Sequence, residues 1–230
     1  MPGLVRMVVK TNPKSRVILV DDGSGPAQNA LLRPLVRKLQ NGFPRNFGFL
    51  ALPKNRGKGG AILAAWKSSP TGFEYLGFVD ADGAFDPAEV ARVAAQLNHG
   101  SPQPALFASR VKMMGFSVKR SPVRHYLGRI FATWVGMVLE SGVYDSQCGL
   151  KFIPSGAFAR ISPHLKGRGF SFDIELLGAL LSAGCPIREI PVNWRDVPGS
   201  KVRFWRDGVG LFWNALREGW RIRKRERQRR

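Results

Sequence analysis

Arg16-Val-Ile-Leu-Val-Asp-Asp-Gly-Ser24 is the stretch that decides the fold class. A short β-branched run closed by acids and glycine predicts a buried strand of the kind parallel sheets use, delivering its polar residues at the carboxyl end. On its far side, Ala30 to Leu39 carries Leu31, Leu32, Leu35, Val36 and Leu39 at helical spacing, and Asn41-Gly42 supplies a stop. Asn46 to Leu52 predicts a second strand, and the glycine-rich turn Asn55-Arg-Gly-Lys-Gly-Gly60 leads into a helix over Ala61 to Lys67. Tyr75 to Val79 predicts a third strand, closed by Asp80-Ala-Asp-Gly83, and Pro87 opens a helix to about Leu97. Ala105 to Ser109 predicts a fourth strand. Strands alternating with helices in this way predict a mixed, mostly parallel α/β sheet with helices on both faces. Ligands bind such sheets beyond the carboxyl ends of the strands, where Asp21/Asp22 and Asp80/Asp82 both fall.

No internal repeat or low-complexity linker interrupts the chain. Residues 1–200 are expected to form a single domain, and residues 201–230 a basic helical extension. Across 230 residues, 36 Lys and Arg face 16 Asp and Glu, a net +20 that calls for an acidic partner: nucleic acid, an anionic membrane or a phosphorylated substrate. The hydrophobic fraction of 44% excludes a disordered basic tail. No apolar run reaches the roughly 20 residues of a spanning helix; Leu127 to Leu139 comes nearest, and it carries Arg129. Met1 to Val9 is too short for a signal peptide, and a reducing cytoplasm is expected for a chain with only Cys148 and Cys185. His99, His125 and His164 stand at no spacing that would complete a zinc site.

An Asp-x-Asp at a strand end can cap or turn the chain, or can hold a divalent cation that bridges nucleotide phosphates. The turn at Asn55 to Gly60 is not a Walker loop, because glycine follows Gly-Lys, yet it can bring backbone N–H groups and Lys58 close to a diphosphate.

Val20-Asp-Asp-Gly-Ser24, Asn55-Arg-Gly-Lys-Gly-Gly-Ala61 and Asp80-Ala-Asp-Gly83, in this order, resemble family 2 glycosyltransferases of the GT-A fold. The second half narrows the resemblance. Lys119-Arg-Ser121 with Arg124, Asp145-Ser-Gln-Cys-Gly-Leu-Lys151 and Phe172-Asp-Ile-Glu-Leu176 are followed by Glu189-Ile-Pro-Val-Asn-Trp194 and Gly199-Ser-Lys201. That series is similar to the dolichyl-phosphate β-glucosyltransferase branch, cousins of the dolichyl-phosphate mannose synthases. The mannose synthases place Gln two residues past the second Asp, where this chain has Ala84.

The resemblance implies inverting transfer of a hexose, glucose in this branch, from a UDP-sugar to polyprenyl or dolichyl phosphate, with Mg²⁺ or Mn²⁺ as cofactor. It implies that Asp21 and Asp22 address the nucleobase and ribose, and Lys58 the diphosphate. Asp82 ligates the metal, and Asp80 faces the metal or the ribose. Arg110, Arg124, Gln147 and Lys151 meet the acceptor phosphate, and Lys201 closes over the donor phosphates. Asp145 orients the sugar or acts as base, and Asp173 rather than Glu175 faces the pocket, because residues two apart diverge on a helix. Cys148 lines the site at most. Family chains begin with an apolar strand ending in Asn-Glu. Only twenty residues precede Asp21 here, and Met1 to Val9 reads as a poor copy of that strand, lacking its acid and its nucleobase contacts.

Residues 201–230 hold eleven Lys or Arg against three acids, a local +8. Trp205, Val209, Phe212, Trp213, Leu216 and Trp220 fall on one helical stripe. A Trp-rich apolar face beside basic flanks predicts a helix in an anionic membrane interface, and so a peripheral enzyme on the inner, cytoplasmic face. Two further readings stay open: the same fold with another donor or acceptor, such as GDP-mannose or a glycan hydroxyl, and a truncated inactive homologue. A nucleic-acid partner rests on charge alone and is not expected, since the tail aromatics form an apolar stripe rather than a stacking platform.

Overall fold

The computed structural model describes residues 1–97, 99–100, 102–119, 122–167, 169–197, 212–213 and 215–220. Two parallel strands, β1 (Val17–Asp21) and β2 (Phe47–Ala51), pair in register Val17 with Phe47 through Asp21 with Ala51. The helix α2 (Pro26–Gly42) connects them, and it starts earlier than its apolar spacing suggests because Pro26 supplies a preset first turn. Four further strands form one sheet in the order β3 (Tyr75–Val79), β6 (Leu150–Pro154), β4 (Ala105–Ser109), β7 (Ile187–Pro191). Within it β6 runs antiparallel to both neighbours, whereas β4 and β7 are parallel. A short parallel pair, β5 (Val118–Lys119) with β8 (Trp194–Arg195), completes the described pairings. The third and fourth strands therefore stand as expected.

Met1 to Val9 is not a strand. Pro2–Thr11 forms a helix, α1, which packs against α4 (Pro87–Ala94). Pro2 sits in its first turn, and Leu4, Val5, Val8 and Val9 recur at three- and four-residue steps, a period that buries one helical stripe and would split across the two faces of a strand. Val5 is fully buried with Val36, Leu39 and Phe47, while Leu4 and Val8 pack on a second cluster around Val90 and Val93.

The largest core cluster gathers around α7 (Phe172–Ser182), a helix buried on nearly every side. Trp66, from α3 (Gly57–Ser68), meets the rings of Phe158, on α6 (Ser155–Ile161), Phe172 and Phe78 at 5.3, 6.1 and 6.1 Å. Burying such rings contributes on the order of 2–3 kcal/mol each, so this cluster fixes how α3 and α7 meet. The helix α5 (Pro122–Leu139) carries Val135 and Leu139 into the same core. No helix among the described residues is long and apolar enough to cross a membrane.

Of the predicted C-terminal helix, residues 212–213 and 215–220 are described and helical, while Trp205 and Val209 lie outside the described residues. Ala215 and Glu218 are buried, with Glu218 against Gly178 of α7. Trp213 and Trp220 are 68% and 62% exposed, and Phe212, partly exposed, stacks on Trp134 at 3.7 Å.

Candidate active site

The strand β1 ends in a turn pressed against the chain before α3. Asp21 is buried and accepts the Ser24 N–H at 3.3 Å, and Asp22 accepts the Arg56 N–H at 2.8 Å. Gly23 has φ +70°, and a Cβ there would lie 2.4 Å from the Lys54 carbonyl carbon. Only glycine lets these two loops touch. The glycine turn then meets α7: a Cβ on Gly59 would stand 2.5 Å from Phe172 Cβ and 2.9 Å from the Gly167 carbonyl carbon. Lys58, in the first turn of α3, is thereby carried onto the carboxylate of Asp173.

Four charges alternate from there. Lys58 Nζ lies 3.0 Å from Asp173 Oδ2, and 3.1 and 3.2 Å from the two oxygens of Asp80. Asp173 Oδ1 takes Lys151 Nζ at 2.6 Å, and Lys151 also donates to the Cys148 carbonyl at 2.5 Å. Lys151 is wholly buried between its sheet partners Phe78 and Phe107, whose ring centres lie 5.4 and 5.0 Å from its ammonium. Burial would lower the Lys58 ammonium, but Asp173 and Asp80 outweigh it and raise its pKa. Burial likewise would raise Asp173, and Lys151 and Lys58 hold it below the usual carboxylate range. Asp80 ends up raised: desolvation, helped by Asp173, exceeds what Lys58 and Lys151 give back.

Asp80 is seated by Gly149. The Asp80 N–H donates to the Gly149 carbonyl at 2.8 Å, and a Cβ on Gly149 would sit 2.1 Å from Asp80 Oδ2. Asp82 lies two residues on, exposed, accepting the Ala84 N–H at 2.9 Å. No group of three His, Cys, Asp or Glu that could hold a metal exists among the described residues. Two hard carboxylates at a strand end fit a divalent cation that takes its remaining oxygens from a phosphate ligand and water.

A second cluster lies past the end of β4. Asp145 accepts from Arg110 Nε at 2.7 Å, from Arg110 Nη2 at 2.8 Å and from the Arg110 backbone N–H at 2.9 Å. Burial would raise this carboxyl, but the Arg110 guanidinium holds it at about 2. The Tyr144 and Asp145 N–H groups both donate to Glu189, on β7, at 2.6 and 2.8 Å. Arg110 also lies 5.3 Å from the ring of Trp194, and Arg129 covers Tyr144 at 3.4 Å. The buried hydroxyls of Ser109 and Ser146 and Nε2 of Gln147, beside this pair in sequence, have no hydrogen-bond partner among the described residues.

The structure thus joins Lys58, Asp80, Asp173 and Lys151 in one group and Arg110 with Asp145 in another, and it changes three assignments. Lys151 was expected at the acceptor phosphate, but its enclosed ammonium reaches Asp173 instead. Asp173 was expected to face the pocket as a catalytic group, but both its oxygens are held by ammonium groups and it is 1% exposed. Asp145 is paired and strongly acidic, which favours the orienting role over the base. Asp173 and Glu175 do diverge: Glu175 accepts the Lys166 and Gly167 N–H groups at 2.6 and 3.0 Å, holding the loop that covers the glycine turn. Cys148 is fully buried, its thiol pushed up to about 12 by burial and by Asp145. The Arg124 side chain and Lys201 lie outside the described residues. Sequence reading missed Glu189 and Glu175 as positioning groups, although both sit in the quoted motifs; their partners are backbone N–H groups, which leave no trace in residue type.

The family model for glycosyl transferase family 2 matches residues 3–159. The chain belongs to glycosyl transferase family 2. Mouse dolichyl-phosphate beta-glucosyltransferase is 33% identical over 220 residues, covering 90% of this chain and 66% of that protein. The human protein of the same name is 35% identical over 195 residues, covering 82% of this chain and 59% of its own. This chain therefore spans a little under two thirds of the length of such relatives. Among solved structures, glucosyl-3-phosphoglycerate synthase from Mycobacterium tuberculosis in complex with UDP aligns at TM-score 0.63 and 14% identity, covering 94% of this chain and 75% of that one. A Pyrobaculum calidifontis mannosyltransferase in complex with GDP-Man and Mn²⁺ aligns at TM-score 0.51 and 13% identity, covering 95% and 70%. The family 2 chain has a GT-A-like fold.

Proposed function

We propose that this family 2 protein is an inverting glycosyltransferase that moves glucose from UDP-glucose to dolichyl or another polyprenyl phosphate. The observation that carries the reading is the contact of Asp80, at the end of β3 and two residues before the exposed Asp82, with Lys58 in the first turn of α3. An Asp-x-Asp at a strand end, with its first carboxylate on an ammonium at a glycine-lined helix start, suits a nucleoside diphosphate and its divalent cation. The relatives named for dolichyl-phosphate glucosylation support the sugar and acceptor. The mycobacterial synthase solved with Mn²⁺, UDP-glucose and phosphoglyceric acid supports a metal-assisted UDP-sugar donor.

Asp80 and Asp82 would hold Mg²⁺ or Mn²⁺, which would supply charge neutralisation for the leaving diphosphate. The protein does the rest. Asp21 and Asp22 bind the nucleoside, and Lys58 and Lys201 meet the diphosphate. Arg110 and Arg124, with Gln147, hold the acceptor phosphate, guanidinium forks matching its oxygens. Asp145 fixes the Arg110 fork, leaving its outer N–H groups for the acceptor. A phosphate monoester is largely ionised near neutral pH, so its oxygen attacks the sugar carbon without a strong general base. Position and charge stabilisation do most of the work, which suits a site whose acids are mostly paired.

We propose further that the protein seats on an anionic bilayer surface, on its cytoplasmic side; the exposed Trp213, Leu216 and Trp220, in a stretch of sequence rich in Lys and Arg, favour the seating. In a transfer assay with radiolabelled UDP-glucose and dolichyl phosphate, lipid-linked glucose is expected and Asp82→Ala abolishes it. Transfer from GDP-mannose instead overturns the donor, and undiminished transfer by Asp82→Ala overturns the metal assignment.

A further inference from the structure

Lys58 is held differently from its neighbour in the charge chain. Asp173 keeps its own wholly buried ammonium, Lys151, on one oxygen, whether or not Lys58 is on the other. Asp80 has Lys58 as its nearest cation, contacting both oxygens, and its side chain is 35% exposed against 2% for Asp173. The Asp173 contact is thus anchored from below, and the Asp80 contact lies at the open end. An ammonium on both oxygens of Asp80 opposes a divalent cation at the same carboxylate, because the two positive charges compete for one acid and repel each other.

Resting on the donor reading above, we propose that Lys58 is an exchangeable counter-ion of Asp80. It pivots on Asp173 from the carboxylate to the incoming diphosphate, so that cation and nucleotide bind in a linked way. Alone, the cation meets a carboxylate already neutralised. When a diphosphate arrives, it draws the ammonium away while Asp173 retains it, and Asp80 becomes available as a metal ligand. The chain then contributes a coupling of its own, in addition to any direct contact between cation and phosphate. Lys151 has a positioning role here: by neutralising half of Asp173 it stops that acid from pulling Lys58 wholly inward.

The test measures Mn²⁺ alone, by the electron paramagnetic resonance signal of the free ion, and UDP with and without saturating Mn²⁺, by calorimetry. Wild type is compared with Lys58→Gln and Lys58→Arg. Lys58→Gln is expected to bind Mn²⁺ alone about tenfold more tightly than wild type, and to bind UDP in saturating Mn²⁺ at least about tenfold more weakly. The factor by which Mn²⁺ improves UDP affinity falls accordingly, and Lys58→Arg restores most of it. A structural lysine would lower the melting temperature of Lys58→Gln and leave Mn²⁺ affinity where it was. Unchanged or weaker Mn²⁺ binding by Lys58→Gln overturns the proposal. Failure of wild type to bind UDP even with Mn²⁺ overturns the donor reading itself, a separate result.

Discussion

The Lys58 and Arg110 clusters are built from the same materials, and they are held in opposite ways. Arg110 and Asp145 form a closed pair: two side-chain hydrogen bonds of 2.7 and 2.8 Å, a backbone bond, and Glu189 pinning the loop behind. Lys58 is shared between two acids at 3.0 to 3.2 Å, one wholly buried and one half-buried. A bidentate fork locks a geometry, whereas an ammonium on a flexible stem can change partners. In the proposed reaction the acceptor side is a rigid rest for a phosphate, and the donor side is where charge is redistributed.

Removing one acid from each cluster gives the widest contrast. Asp145→Ala leaves Arg110 buried without its partner and is expected to cost about 3–5 kcal/mol in urea unfolding. Asp80→Asn removes an open, already disfavoured charge and is expected to change stability by less than about 1 kcal/mol while abolishing Mn²⁺-dependent UDP binding. Equal stability losses would break the distinction.

Acid titration examines the closed pair by itself. The folded carboxyl of Asp145 lies at about 2, below its unfolded value near 3.8, so its contribution is complete above the unfolded value and is lost as pH falls toward 2. That amounts to roughly 2–3 kcal/mol, read as a falling urea midpoint below about pH 4 that Asp145→Asn no longer shows.

Gly149→Ala sharpens the other side. A methyl 2.1 Å from Asp80 Oδ2 must push that carboxylate outward. The expected cost is about 1–2 kcal/mol of stability, with UDP affinity in Mn²⁺ falling by tenfold or more, since the displaced acid no longer meets the cation. The smallest effect is at Cys148, between the clusters, whose thiol is buried and pushed up to about 12. Native protein should leave it unlabelled by iodoacetamide over hours at pH 8, with labelling appearing in denaturant.

Strand ends and glycine turns were legible because period and composition are local properties. β3 and β4 fall at the residues their short apolar runs indicate, and Asp80 and Asp82 follow the carboxyl end of β3. The amino terminus was misread because comparison with a family strand was set above the helical period of Leu4, Val5 and Val8. The roles of Lys151 and Asp173 were misread for another reason. A polar residue in a family motif looks accessible in a list of letters, and only the register of Lys151 opposite Phe78 and Phe107 turns it inward.

From its residues alone, this chain determined that acids end its first and third strands, that a lysine opens a glycine-lined helix, and that its family is one of sugar transferases. The first two are properties of spacing, and the third rests on the resemblance of its motifs to a known family. Which lysine serves ligand and which serves the core, and which aspartate is open to a cation, was decided by the tertiary structure. The reason is electrostatic: a charge takes its role from burial and from the partners within about 3 Å, and those partners lie far apart in the chain, Lys58 and Asp173 by 115 positions.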